Sequence, residues 1–156
     1  MLSDFEKAFD VIIGVEGRYS NDANDPGGET MYGISKKAYP LEDIGALTKA
    51  RAKELYKRDY WDKVKGDQLP HPLCLFAFDA AVNQGVDAAI KMLQKSLGVP
   101  QDGIIGGATL AKAEKASPEI ACLFMADRAL RYTGSRGFDN FGRGWFKRLF
   151  VIMRAA

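Results

Sequence analysis

Several residue types are scarce in this sequence. Histidine occurs once, at His71, and cysteine twice, at Cys74 and Cys122. A zinc site with a single imidazole would have to lean on scattered carboxylates, so no metal centre is expected and no cofactor is implied. The two cysteines sit in "LCLFAF" and "ACLFMA", apolar helical settings that suit buried free thiols better than a disulfide or a metal pair. Long apolar runs are also missing. Stretches such as "ACLFMA" and "LFVIM" fall far short of the roughly 20 residues that a membrane span requires. The start, "MLSDFEKAFD", has acids where a signal peptide has basic residues, and no apolar core with small residues follows it. Synthesis in the cytoplasm without an export signal is therefore expected. Internal repeats, low-complexity tracts and convincing alternating strands are lacking as well, which argues against solenoids, disorder and a large sheet.

What is present suits one folded domain. A length of 156 residues fits a single core, and 47% hydrophobic with 27% charged residues is ordinary for a globular chain. The net charge of +2 hides an asymmetry: residues 1–70 hold 11 basic and 13 acidic side chains, and residues 71–156 hold 11 and 7. From Arg128 onward there are seven basic residues, Arg128, Arg131, Arg136, Arg143, Lys147, Arg148 and Arg154, against Asp139 alone. A basic end suits an anionic surface such as nucleic acid, a membrane face or the bacterial wall, or it is simply a solvated helix face. No nucleic-acid-binding motif is readable in it.

The helical signals are strong. "SDFE" reads as a capping box with Ser3 as N-cap and Glu6 three residues on, and an apolar stripe of Phe5, Phe9 and Ile12 follows. The next position in that register is Glu16, which places a carboxyl on the core-facing side; Gly17 is a natural stop. "ISKKAYP" reads as a short helix or turn ended by Pro40. Thr48 caps a helix whose stripe is Ala52, Leu55, Tyr56 and Tyr60. A strongly apolar and therefore central helix starts at Pro72 and carries Asp79 and Asn83 one turn apart. Further helices run through "DAAIKMLQKSLGV", Thr109 to Lys115, "SPEIACLFMADRALRYTG" and about Phe141 to Arg154. The fold class is mainly α, with at most a small β element in the loop after the first helix.

That loop carries the chemistry. "VEGRYSNDANDPGGETMYGIS" has four carboxylates, four glycines and no apolar run. For Glu16, burial and the negative end of the helix dipole both favour the protonated form, which is what a general acid needs. Asp22, Asp25 and Glu29 follow in a segment that "DPGG" turns back toward the helix end, so one of them can face Glu16 as an ionised partner. The same letters could write a surface loop, and an acid on a core face could be a satisfied salt bridge. An EF-hand is excluded by the spacing and by Pro26.

The stretch closely resembles the signature of glycoside hydrolase family 108, the phage and prophage N-acetylmuramidases, whose motif reads E-G-G-Y and then N-D-x-x-D-P-G-G-x-T-x-x-G-I. The similarity continues through "LTKARAKELYKRDYW" and "FDAAVNQGVDAAIKMLQKSLGVPQDGIIGGATL". It implies a lysozyme-like catalytic half over residues 1–88 and a helical peptidoglycan-binding half over 89–156, packed as one unit. It further implies hydrolysis of the β-1,4 bond between N-acetylmuramic acid and N-acetylglucosamine in peptidoglycan. Glu16 matches the family's catalytic glutamate. A weaker likeness to the T-even phage lysozymes matches Asp25 to an acid nine residues on and Thr30 to a nearby hydroxyl. Asp22, Tyr32, Asn83 and Trp61 are candidate substrate contacts, with Tyr32, Tyr60 and Trp61 offering flat faces to sugars or simply filling the core. Two departures stand out: Arg18 replaces the second glycine of E-G-G-Y and is expected to point outward or toward substrate, and Gly107 replaces a Pro and loosens the following helix start. A monomeric endolysin reaching the periplasm through a holin is the implied biology, and peptidoglycan the implied partner. A secretion-associated muramidase, a lytic transglycosylase and a non-catalytic wall-binding module are the rivals.

Overall fold

A computed structural model describes residues 2–22 and 27–156. The expected mainly helical, lysozyme-like fold is what it shows: seven α-helices and one two-stranded hairpin among the described residues. Helix α1 (Asp4–Glu16) starts in the capping box, with the Ser3 hydroxyl accepting from the Glu6 N–H at 3.2 Å and Glu6 accepting in return from the Ser3 N–H at 3.1 Å. Its Phe5, Phe9 and Ile12 are buried, as the stripe demands. Strands β1 (Thr30–Met31) and β2 (Ile34–Ser35) pair antiparallel, Thr30 opposite Ser35 and Met31 opposite Ile34. The segment "ISKKAYP" thus opens as a strand and turns after it, because Ile34 is needed in the core.

Thr48 caps α2 (Lys49–Tyr56) through a 3.1 Å bond from the Arg51 N–H, and a π-helical turn over Lys57–Trp61 continues it. Helix α3 (Leu73–Gln84) is the central element; its residues from Leu73 to Ala81 are all buried. It follows that α3 must be wrapped on every side, and α1, α4 (Val86–Leu97), α6 (Pro118–Thr133) and α7 (Phe138–Ala155) do so. Helix α5 (Gly107–Glu114) packs on α4. One continuous core runs from Phe5 to Ile152 and joins both halves of the chain.

An aromatic cluster fills the N-terminal end of that core. Trp61 lies 5.4 Å from Phe5 and 5.3 Å from Phe78 between ring centroids, with Tyr56 edge-on to Phe9 at 5.7 Å. Gly66 lies flat on the indole: a Cβ there would stand 2.4 Å from Trp61 ring carbons. The Trp61 Nε1–H donates to Asp67 at 2.9 Å. Trp61 is wholly buried, so it is a core residue and has no free face for sugar stacking. Packing of Phe5, Phe78 and Gly66 around the ring explains the departure from the sequence expectation. The cysteines also divide: Cys74 is buried, and burial pushes its thiol up to about 11, whereas Cys122 lies on the solvent side of α6.

In the second half, the buried Gln94 side chain organises the glycine-rich turn. Its amide nitrogen donates to Asp102 at 2.7 Å and to the Ile104 carbonyl at 3.0 Å, while its oxygen accepts from the Gly103 N–H at 3.0 Å. The turn is therefore held by a side chain rather than by regular backbone pairing.

Candidate active site

Helix α1 ends at Glu16. The chain then leaves through Gly17 and returns at Thr30, where Ser20 and Thr30 exchange two backbone hydrogen bonds of 2.8 Å and close the intervening loop. The hairpin turn that follows is Tyr32–Gly33, with φ of 53° and 75°, the all-positive pattern of the tight two-residue turn. This turn presses onto Glu16. A Cβ on Gly33 would lie 3.0 Å from Glu16 Cβ and Cγ and 2.4 Å from the Tyr56 hydroxyl, so no other residue fits there without displacement. The Tyr56 hydroxyl donates to the Tyr32 carbonyl at 2.9 Å and pins the turn to α2. Burial, with the charge of Glu16 second, holds the Tyr56 phenol proton well above the usual range.

The Glu16 side chain is 21% exposed, part in the core and part in solvent, as its register requires. Its surroundings differ from the apolar wall that the stripe suggests. Arg148 Nη1, on α7, donates to Glu16 Oε1 at 2.6 Å. The same guanidinium places Nε and Nη2 on Asp79 Oδ1 at 3.0 and 2.8 Å. Asp79 gives its other oxygen to Arg128 Nη2 at 2.6 Å, and Arg128 Nε donates to Gln84 at 2.9 Å. Two acids and two cations thus alternate from α1 through α7 and α3 to α6. Burial works against the Arg148 cation, but Asp79 and Glu16 outweigh it and raise its pKa.

The other candidates separate. Thr30 is half-buried in β1, and its hydroxyl donates to the Gly28 carbonyl at 3.1 Å, which leaves oxygen lone pairs free to accept. Tyr32 sits at the hairpin turn beside Gly33, its ring partly packed on the core. Asp22 is exposed at the start of the loop, and Asp25 lies outside the described residues. Glu29 accepts from the Tyr19 hydroxyl at 2.9 Å and, by that bond, holds the phenol proton above its usual range. Asn83 accepts from the Tyr132 hydroxyl, which ties α3 to α6. Asp79 contacts neither solvent nor backbone amides; it serves the two arginines. Arg18 is exposed, as expected of it.

Sequence reasoning missed Arg148, Arg128 and Tyr56 as neighbours of the acid. The signal was there. Arg148 lies in register with Trp145 and Ile152, and Arg128 with Phe124 and Tyr132, so each is a charge within an apolar stripe, the same sign that marked Glu16.

Residues 9–85 match the sequence pattern of the family described as Glycosyl hydrolase 108. The solved structure of SagA from Brucella abortus is similar to this chain along almost all of its length: the TM-score is 0.86 and the identity 37%, with 97% of this chain and 92% of SagA covered. No curated protein matches. The matched segment holds Glu16, the loop, the hairpin and α3 up to Asp79 and Gln84, while Arg128 and Arg148 lie beyond it. On these grounds the chain belongs to glycosyl hydrolase family 108.

Proposed function

We propose that this chain is a peptidoglycan hydrolase of the N-acetylmuramidase type. It cleaves the β-1,4 bond between N-acetylmuramic acid and N-acetylglucosamine by acid-assisted hydrolysis. The observation that carries this reading is the placement of Glu16: a carboxyl at a helix end, half-buried, with a glycine turn packed on its stem and solvent before it. Breaking a glycosidic bond requires a proton on the leaving oxygen, and Glu16 supplies it. Asp25, or failing it Asp22, stays ionised and either stabilises the cationic sugar or orients water, and the Thr30 hydroxyl helps to hold that water. A carboxyl separation of about 5–5.5 Å would make the reaction retaining, and one of about 6.5–9.5 Å inverting.

The biological setting we favour is bacterial lysis by an endolysin that passes a holin. A muramidase serving a secretion system would use the same chemistry. Of the seven late basic residues, Arg128 and Arg148 are committed to the internal network. Arg131, Arg136, Arg143, Lys147 and Arg154 form no ion pair with a described residue. These five give the enzyme a hold on the anionic wall, and added salt should weaken its co-sedimentation with purified sacculi.

Digestion of purified peptidoglycan, followed by mass spectrometry of the fragment ends, tests the reading. Reducing muramic acid ends are expected, and Glu16→Gln should produce none. Anhydro ends would mean a lytic transglycosylase, no cleavage a wall-binding module, and full activity in Glu16→Gln would remove Glu16 from the chemistry.

A further inference from the structure

We infer that Arg148 is a positioning residue for the reaction, fixing which oxygen of Glu16 carries the transferred proton. The inference rests on the proposed role of Glu16 as general acid. A guanidinium N–H can only donate. Because Nη1 points at Oε1 from 2.6 Å, a proton on Oε1 would stand in place of the hydrogen bond and meet the cation head-on. The oxygen left to carry a proton during its transfer is therefore Oε2, which accepts no hydrogen bond from a described residue. The acid arrives at the substrate with one oxygen tethered and the other charged with the proton.

Arg148 can impose this because it is itself immobile. All three of its side-chain nitrogens are engaged, Nη1 with Glu16 and the Nε and Nη2 edge with Asp79. Asp79 is fixed in turn by Arg128, and Arg128 by Gln84. The planar fork sets the direction of each bond. Lysine would bring the charge but offer a freely rotating head that cannot hold Asp79 edge-on while reaching Glu16. Arg148 is assigned to positioning because its partners are protein carboxylates.

A cleft of about 340 Å³ has Arg148 in its lining, together with Gly14, Val15, Gly144, Lys147 and Val151. It offers a direct test, because a small guanidinium salt can enter where the side chain has been cut away. We would measure kcat and KM on soluble peptidoglycan fragments for the wild type, Glu16→Gln, Arg148→Ala and Arg148→Lys, with and without methylguanidinium, alongside thermal melts. Arg148→Ala should lose about a hundredfold in kcat, the scale of a misplaced catalytic group, with KM within about twofold. Methylguanidinium should restore at least about tenfold of that loss and do nothing for Glu16→Gln. Arg148→Lys, which folds with the charge in place, should remain well below the wild type. Wild-type kcat in both Arg148 variants would overturn the inference, as would a loss that follows thermal stability alone and ignores methylguanidinium. In either case an inert Glu16→Gln leaves the muramidase reading standing; an active one removes both.

Discussion

Asp79 and Arg128 meet at 2.6 Å with neither side chain exposed to solvent. A buried ion pair adds little net stability over an apolar pair of the same shape, but removing one partner strands the other. In Arg128→Met, Asp79 keeps Arg148 and loses its second cation. The loss should be about 3–5 kcal/mol, read from urea unfolding. A loss below about 1 kcal/mol would show that Arg148 alone neutralises Asp79, since even a single lost hydrogen bond reaches that size. The penalty should also be the same at low and high salt, because ions do not screen a pair sealed in the core.

Gly33→Ala asks for space that the fold does not have. The new methyl would meet the Tyr56 hydroxyl at 2.4 Å and the stem of Glu16 at 3.0 Å, on a backbone whose φ is positive. Overpacking of this kind costs about 1–3 kcal/mol. Because the displaced atoms belong to the proposed acid and to the bond that pins the turn, activity should fall by more than stability explains. Parallel melts and muramidase assays on Gly33→Ala check this, with Gly28→Ala, also at positive φ but with nothing within 4 Å of its Cβ, as the comparison.

Alkaline pH should unfold the protein through its tyrosines. Burial is the leading cause that raises Tyr39, Tyr56 and Tyr132; Tyr60 and Asp59 add to it at Tyr39 and Glu16 at Tyr56, whereas Arg128 opposes it at Tyr132 without cancelling it. An unfolded tyrosine ionises near pH 10. Above that pH the unfolded chain binds fewer protons than the folded one, so stability is intact below about pH 10 and falls as pH rises past it. The tyrosinate absorbance of these three should appear together with loss of the helical circular dichroism signal. Free titration of all tyrosines in a folded protein would contradict it.

Gly107→Pro should stabilise. Gly107 is the first residue of α5, the helical position that proline favours, and a Cβ placed there meets nothing within 4 Å. The gain of about 0.4–1 kcal/mol comes from narrowing the unfolded chain. An unchanged or lowered melting temperature would count against this account.

Periodicity made most of the fold legible. The capping box, the stripe that turned Glu16 inward, the Ser117–Pro118 start and the glycine stops at Gly17 and Gly98 are each written within a few neighbouring residues, and local rules reach that far. The hairpin was legible only as a possibility, since two residues per strand leave no alternation to read. Partners across the chain were not legible. Glu16 and Arg148 are 132 residues apart, and nothing in a local window says which stripe charge meets which. Trp61 shows the complementary failure: an indole beside two tyrosines looks like a sugar platform until the fold encloses it. Its enclosure depends on Phe5 and Phe78 as well as Gly66, and only the three-dimensional path brings those two rings to it.

Arg148 also has a consequence in time. Glu16 leaves the ribosome 132 residues ahead of Arg148, so a growing chain carries the carboxyl through a long stretch of synthesis before its guanidinium partner exists. A chain released short of residue 148 cannot make the ion pair that ties the end of α1 to α7.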